Sequence, residues 1–318
     1  MATDAQFGDF FEKVDTLTPE QNSEQPIISL SGITFTNDGT FVVADASEAS
    51  VKAFEAGGRL RTILGRQGKG PGEFIRPRFP IVGSDGRIYV GHSQEAHISV
   101  FDETGAFIDR VALPLSPLMG FARLADGRFL VTGLVVGRQD RNVLHLFTPE
   151  GELIRSYLPI RESVPAGEPE SPLWDMVRWY HLRSDGRKAY VTSTILNTIW
   201  EVDVETGGIR EVRVDFNGYD PPHIPQDGFS NSNAIMERSR GLQMTIWPIV
   251  ADGMLAVPFV KGVLNYGDPS ILVVRDRSGQ WFALAGAPPI VGAFGDRLVA
   301  IDDPLEDPVR LAFYRFKK

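Results

Sequence analysis

Five Asp-Gly turns recur along the chain, and each lies between two apolar runs of strand length. An Asp-Gly pair in this setting is a strong hairpin signal, because a type I′ turn needs positive φ at both of its central residues. A sixth, weaker copy is Phe294-Gly295-Asp296. The pattern predicts six copies of one β unit. The five turns are Asn37-Asp38-Gly39, Ser84-Asp85-Gly86, Ala125-Asp126-Gly127, Ser184-Asp185-Gly186 and Ala251-Asp252-Gly253.

The spacing of the copies predicts the fold class. Successive turn glycines lie 41 to 67 residues apart, and a full copy contains four apolar strands. A repeat of about 40 to 50 residues with four strands is typical of propeller blades. We therefore predict an all-β fold, a six-bladed β-propeller of four-stranded antiparallel blades that forms one domain over residues 1–318. The predicted blades span approximately 28–66, 75–113, 117–158, 176–215, 243–286 and 288–316.

The last copy ends after its third strand, which leaves an open sheet edge. An exposed edge invites aggregation, so a closed array needs a fourth strand from elsewhere. We predict that the N-terminal segment 10–17 pairs beside the 309–316 strand and closes the ring. A short amphipathic helix is the alternative, because Phe7, Phe10, Phe11 and Val14 also fall at helical spacing.

One stretch of the first two copies resembles a known repeat. The run from Gly65 to Phe74, the pair Arg76-Pro77 and the strand Ile98 to Asp102 are similar to the NHL-type repeat of six-bladed β-propellers. This resemblance implies a propeller whose relatives include lactonases, lyases and non-catalytic interaction modules. It also implies an extracytoplasmic location, periplasmic, secreted or lipid-anchored, with a signal removed upstream. The residues alone are equally compatible with the cytoplasm.

Composition excludes several classes of function. The chain has 318 residues, a formal net charge of −9 and no cysteine. An acidic balance argues against nucleic-acid binding, which depends on clustered Lys and Arg. The absence of cysteine excludes disulfides, thiol nucleophiles and Cys-ligated zinc. No apolar run reaches the roughly 20 residues of a transmembrane helix, so none is predicted.

Cationic and aromatic residues suggest where a ligand would bind. Arg78 and Arg178 occupy equivalent positions of the second and fourth copies, six residues before the turn serine. Two guanidinium groups near a ring axis would clamp an anion, because they match carboxylate and phosphate geometry. The alternative is that each arginine pairs with a carboxylate of a neighbouring blade. We expect the other ligand-binding side chains to be Trp174, Trp179, Tyr180 and His97.

Histidines are the candidates for chemistry. If His92, His181 and His223 converge, they could bind a divalent metal or serve as acid and base. The alternative for each of them is a structural or solvent-exposed role. The sequence requires no cofactor, and a divalent metal is the one that the histidines would allow.

The resulting hypothesis is a monomeric propeller that binds a small anionic molecule or a peptide on its loop-rich face and in its channel. Long inter-blade links at about 159–177 and 216–242 support a binding face, because long loops in compact domains commonly carry function. A metal-assisted lyase or hydrolase in the channel is one alternative. A protein-interaction scaffold in an extracytoplasmic assembly is the other.

Overall fold

The computed structural model describes residues 1–21, 24–92, 96–137, 141–159, 178–220, 243–261, 270–303 and 308–317. These residues contain 26 strands and one helical turn, α1 (Phe7–Phe10). The N-terminal strands are β1 (Thr3–Gln6) and β2 (Phe11–Leu17). The described part of the chain includes no helix with the length and hydropathy of a membrane span.

Six sheets follow in chain order, and we call them blades 1 to 6. Blade 1 contains β3 (Leu30–Phe35), β4 (Phe41–Asp45), β5 (Ser50–Phe54) and β6 (Leu60–Leu64). Blade 2 contains β7 (Pro77–Val82), β8 (Ile88–His92), β9 (His97–Phe101) and β10 (Phe107–Ala112). Blade 3 contains β11 (Leu115–Arg123), β12 (Phe129–Val135), β13 (Asn142–Phe147) and β14 (Leu153–Pro159).

The other three blades continue the pattern. Blade 4 contains β15 (Tyr180–Ser184), β16 (Lys188–Ser193), β17 (Thr198–Asp203) and β18 (Ile209–Arg213). Blade 5 contains β19 (Gln243–Thr245), β20 (Ile249–Ala251), β21 (Met254–Lys261), β22 (Ser270–Arg275) and β23 (Trp281–Ala287). Blade 6 contains β24 (Ile290–Phe294), β25 (Arg297–Ile301) and β26 (Leu311–Phe316). The predicted fold class, six blades built on antiparallel four-stranded sheets, is confirmed.

Two compact units divide the chain. One consists of residues 1–12, 160–290 and 316–318 and holds blades 4 and 5. The other consists of residues 13–159 and 291–315 and holds blades 1, 2 and 3 with most of blade 6. Within each unit, buried apolar side chains of adjacent blades pack face to face. In the first unit such a cluster joins blades 4 and 5, and in the second, clusters join blades 1 to 2 and 2 to 3.

The Asp-Gly turns form where predicted, but four of the five differ from type I′. All five glycines have positive φ, whereas among the aspartates of these turns only Asp252 does. In the first four turns the Asp carboxylate instead accepts the backbone N–H two residues later, as Asp85 does from Arg87 at 3.2 Å. This side-chain bond holds the Asp in an ordinary conformation and leaves the left-handed one to Gly.

The N-terminal segment supplies the missing strand of blade 6. The order of that sheet is β2-β26-β25-β24, so the predicted closure is confirmed. The alternative helix is limited to the single turn α1. Phe11, at the start of β2, is 3% exposed and packs edge-on to Phe316, with ring centroids 5.5 Å apart.

Blade 5 departs from a simple meander in two ways. Its innermost strand is split into β19 and β20, which both pair with β21. Its outer strand β23 pairs in parallel with β1, from Thr3 opposite Phe282 to Gln6 opposite Ala285. The short polar segment that forms β1 has no strand pattern in the sequence, and it covers an edge that would otherwise be open.

We predict that closure by β2 depends on Phe11. The variant Phe11→Ala should lower the free energy of unfolding by about 3 kcal/mol or more, because a large buried aromatic side chain is lost. Glu12→Ala, at an exposed position of the same strand, is the matched control and should change it by less than about 0.5 kcal/mol. Chemical denaturation of the three proteins measures both effects. Equal stability of wild type and Phe11→Ala would contradict the role given to this strand.

Candidate functional site

The innermost strand of blade 4 presents three functional side chains on one face. Residues 178, 180 and 182 are buried, whereas Trp179, His181 and Arg183 are half-buried. Successive side chains of a strand point to opposite sides, so His181 and Arg183 of β15 share a face, and Trp179, just before the strand, continues the same alternation of burial. We call Trp179, His181 and Arg183 the Arg183 face.

The Arg183 face is directed toward blade 5, within the same unit. His181 lies opposite Thr192 in the sheet, and Arg183 lies opposite Tyr190. The Thr192 hydroxyl donates to the carbonyl oxygen of Ile246 in blade 5 at 3.3 Å. The ring of His181 meets the ring of Trp247 edge-on, with centroids 5.9 Å apart. The face therefore lies against the interrupted inner strand of blade 5.

Arg183 is a half-buried, partly desolvated cation without a carboxylate partner among the described residues. Burial lowers the pKa of Arg183, and no acid within the described ranges acts on that pKa in the opposite direction. The nearest acid in sequence, Asp185, is already engaged. Its carboxylate accepts hydrogen bonds from the Tyr190 hydroxyl at 2.9 Å and from the backbone N–H of Lys188 at 2.7 Å.

Glu201 is the acid that shares the register row of Arg183, two strands farther out. Its carboxylate is 2% exposed, forms an ion pair with Arg275 of blade 5 and lies 3.5 Å from Lys188. Two cations thus compensate Glu201. Arg275 has a buried carboxylate as its partner, whereas the described residues supply none to Arg183, and this contrast singles out Arg183.

His181 is held at the middle of the Arg183 face. Its Nε2 lies 3.4 Å from the Thr194 hydroxyl. The same hydroxyl accepts a hydrogen bond from the backbone N–H of Trp179 at 3.1 Å. Two of the predicted site residues, Trp179 and His181, are therefore brought together by one threonine. Tyr180 lies on the opposite face, buried, with its ring 6.2 Å from that of Trp200.

The two arginines predicted as an anion clamp lie in different units. Arg78 is half-buried on β7 at a bulge, and Arg178 is 6% exposed just before β15. Both already interact with other groups of the chain. Their joint role stays a prediction. The predicted residues Trp174 and His223, and most of the long links at 159–177 and 216–242, lie outside the described residues.

His92 and His97 form a stacked pair in blade 2. Their ring centroids are 3.8 Å apart, and both residues are almost fully buried. Nε2 of His92 lies 2.9 Å from the Ser99 hydroxyl, and Nδ1 of His97 lies 3.0 Å from the Arg110 guanidinium. Burial, with the adjacent His97 and Arg110, lowers the pKa of His92 to about 3. His92 is therefore a neutral imidazole above that pH.

Sequence reasoning missed Arg183 and Trp247. The available signal for Arg183 was its spacing two residues after His181 on a predicted first strand, which puts both on one face. Trp247 carries no such signal, because its position depends on the interruption between β19 and β20. Among the described residues, no three His, Asp or Glu side chains are close enough to hold a metal ion.

We predict an acid-sensitive stability that depends on His92. Its pKa is about 3 in the folded protein and about 6.5 in an unfolded chain, so between these values the unfolded state binds more protons. Stability should then fall with decreasing pH by up to about 1.4 kcal/mol per pH unit. In His92→Gln the free energy of unfolding should depend less steeply on pH between pH 6 and 4, because nearly one fewer proton is taken up on unfolding. Ser99→Ala keeps the imidazole and should retain the wild-type slope. Parallel curves for wild type and His92→Gln in chemical denaturation at several pH values would refute this.

Comparison with known proteins agrees with the fold. The model of the family DUF5128, described as a 6-bladed beta-propeller, matches residues 1–130. A search of the curated proteins gives no significant match.

Three solved structures are similar over almost the whole chain. A Bacteroides fragilis protein described as exported has a TM-score of 0.70 at 16% identity and covers 100% of this chain and 98% of its own. A member of the DUF4221 family from Bacteroides vulgatus has a TM-score of 0.65 at 12% identity, covering 97% and 98%. Virginiamycin B lyase from Staphylococcus aureus has a TM-score of 0.55 at 14% identity, covering 96% and 99%. At these identities the likeness shows a shared fold, and the chain is similar to six-bladed β-propeller proteins.

Proposed function

We propose that the protein is a ligand-binding propeller that takes a small anionic molecule at the Arg183 face. The observation that carries this proposal is a half-buried guanidinium for which the described residues provide no carboxylate. Placing a cation in such a position costs stability unless a negative group pairs with it. A bound anion would supply that group, and charge-assisted hydrogen bonds to a guanidinium are among the strong ones.

Trp179 and His181 of the Arg183 face, together with Trp247 of blade 5, suit the same role. Trp179 and Trp247 offer half-buried aromatic surface, and pockets for small molecules combine apolar walls with a few placed polar groups. His181, between them, adds a ring nitrogen that can donate or accept a hydrogen bond. The proposal also keeps the anion clamp of Arg78 and Arg178 and His97 as a further contact. A peptide remains an alternative ligand.

Location and repeat type belong to the proposal as well. We infer an extracytoplasmic location, supported by a structural neighbour that is described as exported. The NHL-type assignment is supported by the Gly65 to Phe74 loop, where the carboxylate of Glu73 accepts from the Gly70 backbone N–H at 2.9 Å and pairs with Arg66. Monomeric state and a scaffold role in an assembly are further hypotheses that the oligomeric state in solution would test.

A lyase or hydrolase is the second candidate, and His181 is the observation that favours it. His181 is half-buried and shares a strand face with the guanidinium of Arg183, which no described carboxylate neutralises. The imidazole can transfer a proton, and the guanidinium can stabilise negative charge. Virginiamycin B lyase shares the fold, and a variant of that enzyme with a histidine replaced by alanine is catalytically inactive. If a divalent metal takes part, His92, His181 and His223 are its candidate ligands.

Our first prediction for this site concerns stability. Arg183→Met should raise the free energy of unfolding by roughly 1 kcal/mol, because it removes a desolvated charge. Arg275→Met, in the same blade pair, should lower it by roughly 3 kcal/mol, because the buried carboxylate of Glu201 loses its closest cation. Chemical denaturation measures both changes.

In parallel, one or more of citrate, phosphate and indole-3-acetate should raise the melting temperature of wild type and leave that of Arg183→Met unchanged. A destabilised Arg183→Met that still responds to the anions would contradict the proposal.

A second prediction tests the catalytic candidate. If the site is catalytic, wild type should turn over a member of a panel of esters and lactones that includes virginiamycin B. His181→Gln should then lower kcat at least 100-fold, in line with the loss of a general acid or base, and keep its melting temperature. Arg210→Met, at an exposed position of the same blade, is the control and should retain activity. A wild-type protein inactive on the whole panel, or a fully active His181→Gln, would remove this candidate.

A further inference from the structure

The surroundings of Arg183 in blade 5 are apolar. The innermost segment of that blade, residues 243–250, contains no charged residue. Its half-buried side chains are Ile246, Trp247 and Val250. Strand β15, which carries Arg183, packs against β20 of this segment. A ligand at the Arg183 face would therefore meet one guanidinium and an otherwise hydrophobic wall.

The interruption of the inner strand fixes the position of Trp247. The backbone N–H of Ile246 donates to the carbonyl of Pro258 at 3.2 Å, and the Ile246 carbonyl accepts from Thr192 of blade 4. Pro248 follows, and proline has no N–H to continue the ladder. With Ile246 held by these two bonds and β20 paired to β21 from Ile249 onward, Trp247 lies with its ring against His181. Its aromatic surface is a fixed part of the wall.

Among the described residues, the charged side chains nearest to Arg183 on this face have partners, whereas Arg183 has no carboxylate. Glu201 pairs with Lys188 and Arg275, and Asp185 bonds to the Tyr190 hydroxyl. Arg183 therefore contributes one positive charge that no described carboxylate neutralises. A single negative charge on the ligand would neutralise it, whereas a multivalent anion would bring excess charge into an apolar site.

Distances along β15 set the size of the ligand. Residues two apart in a strand are separated by about 7 Å. His181, with Trp247 against it, is thus about 7 Å from Arg183 along the strand. A planar body beside Trp247 that carries an acidic group at Arg183 matches this spacing.

We propose that the ligand of the Arg183 face is a monocarboxylate on a planar aromatic body, rather than an inorganic or multiply charged anion. This inference rests on the proposed function, since it names the ligand class for the same site. The carboxylate pairs with the Arg183 guanidinium, and the aromatic body packs against Trp247 beside His181.

The test compares three probes on four proteins. The probes are indole-3-acetate, its neutral analogue indole-3-acetamide, and inorganic phosphate. The proteins are wild type, Arg183→Met, Trp247→Leu and the control Arg210→Met, which removes an exposed arginine from the same register row. Isothermal titration calorimetry gives the dissociation constants, and thermal unfolding verifies that each variant is folded.

We expect indole-3-acetate to bind wild type at least 10-fold more tightly than either indole-3-acetamide or phosphate. Arg183→Met should weaken that binding at least 10-fold, Trp247→Leu should weaken it about 5-fold or more, and Arg210→Met should leave it unchanged. If phosphate binds as tightly as indole-3-acetate, depends on Arg183 and is indifferent to Trp247, the aromatic-acid inference is overturned and the anion-binding function stands. If no probe binds in an Arg183-dependent way, both fall.

Discussion

Face-to-face packing of the blades is the constraint on which the structure depends. The middle strands of a blade have neighbours on both faces, so β4, β5, β8 and β9 are buried at every position. A polar side chain in such a strand must find a partner inside the protein. Asp45 accepts the backbone N–H of Ile28 at 2.7 Å and lies 4.0 Å from the buried ammonium of Lys52, which donates to the carbonyl of Pro26.

The innermost strands are less completely packed than the middle strands. The candidate site lies on such a strand. In β15 one face is buried and the other is half-buried, so a polar group on the second face is not forced to pair within the chain. Arg275 and Arg183 illustrate the two cases. Arg275 enters the packed region between blades 4 and 5 and meets Glu201, whereas Arg183 faces an apolar strand. We expect Arg183 to lower stability somewhat, as residues of functional sites commonly do.

Much of the fold could be predicted from the sequence because its signals are local. The Asp-Gly turns fix the hairpins by themselves. The need for another strand in blade 6 follows because the last repeat has three strands where a full repeat has four. The parallel strand β1 was not predictable, since Thr3 to Gln6 has no apolar alternation and pairs with an edge more than 270 residues away in the chain. Trp179 and His181 could be named as candidates from residue type. Arg183 required the register of β15 and the location of Glu201, which only the packed blades provide.

The central claim is that the Arg183 guanidinium, which no described carboxylate neutralises, is available to an anion. A crystal of the protein grown with sodium bromide tests it directly, because anomalous scattering locates bromide ions whatever the natural ligand is. We expect a bromide within hydrogen-bond distance of the Arg183 guanidinium, none at Arg275, and loss of the ion in Arg183→Met. A carboxylate of the chain in contact with Arg183, with no bromide there, would contradict it.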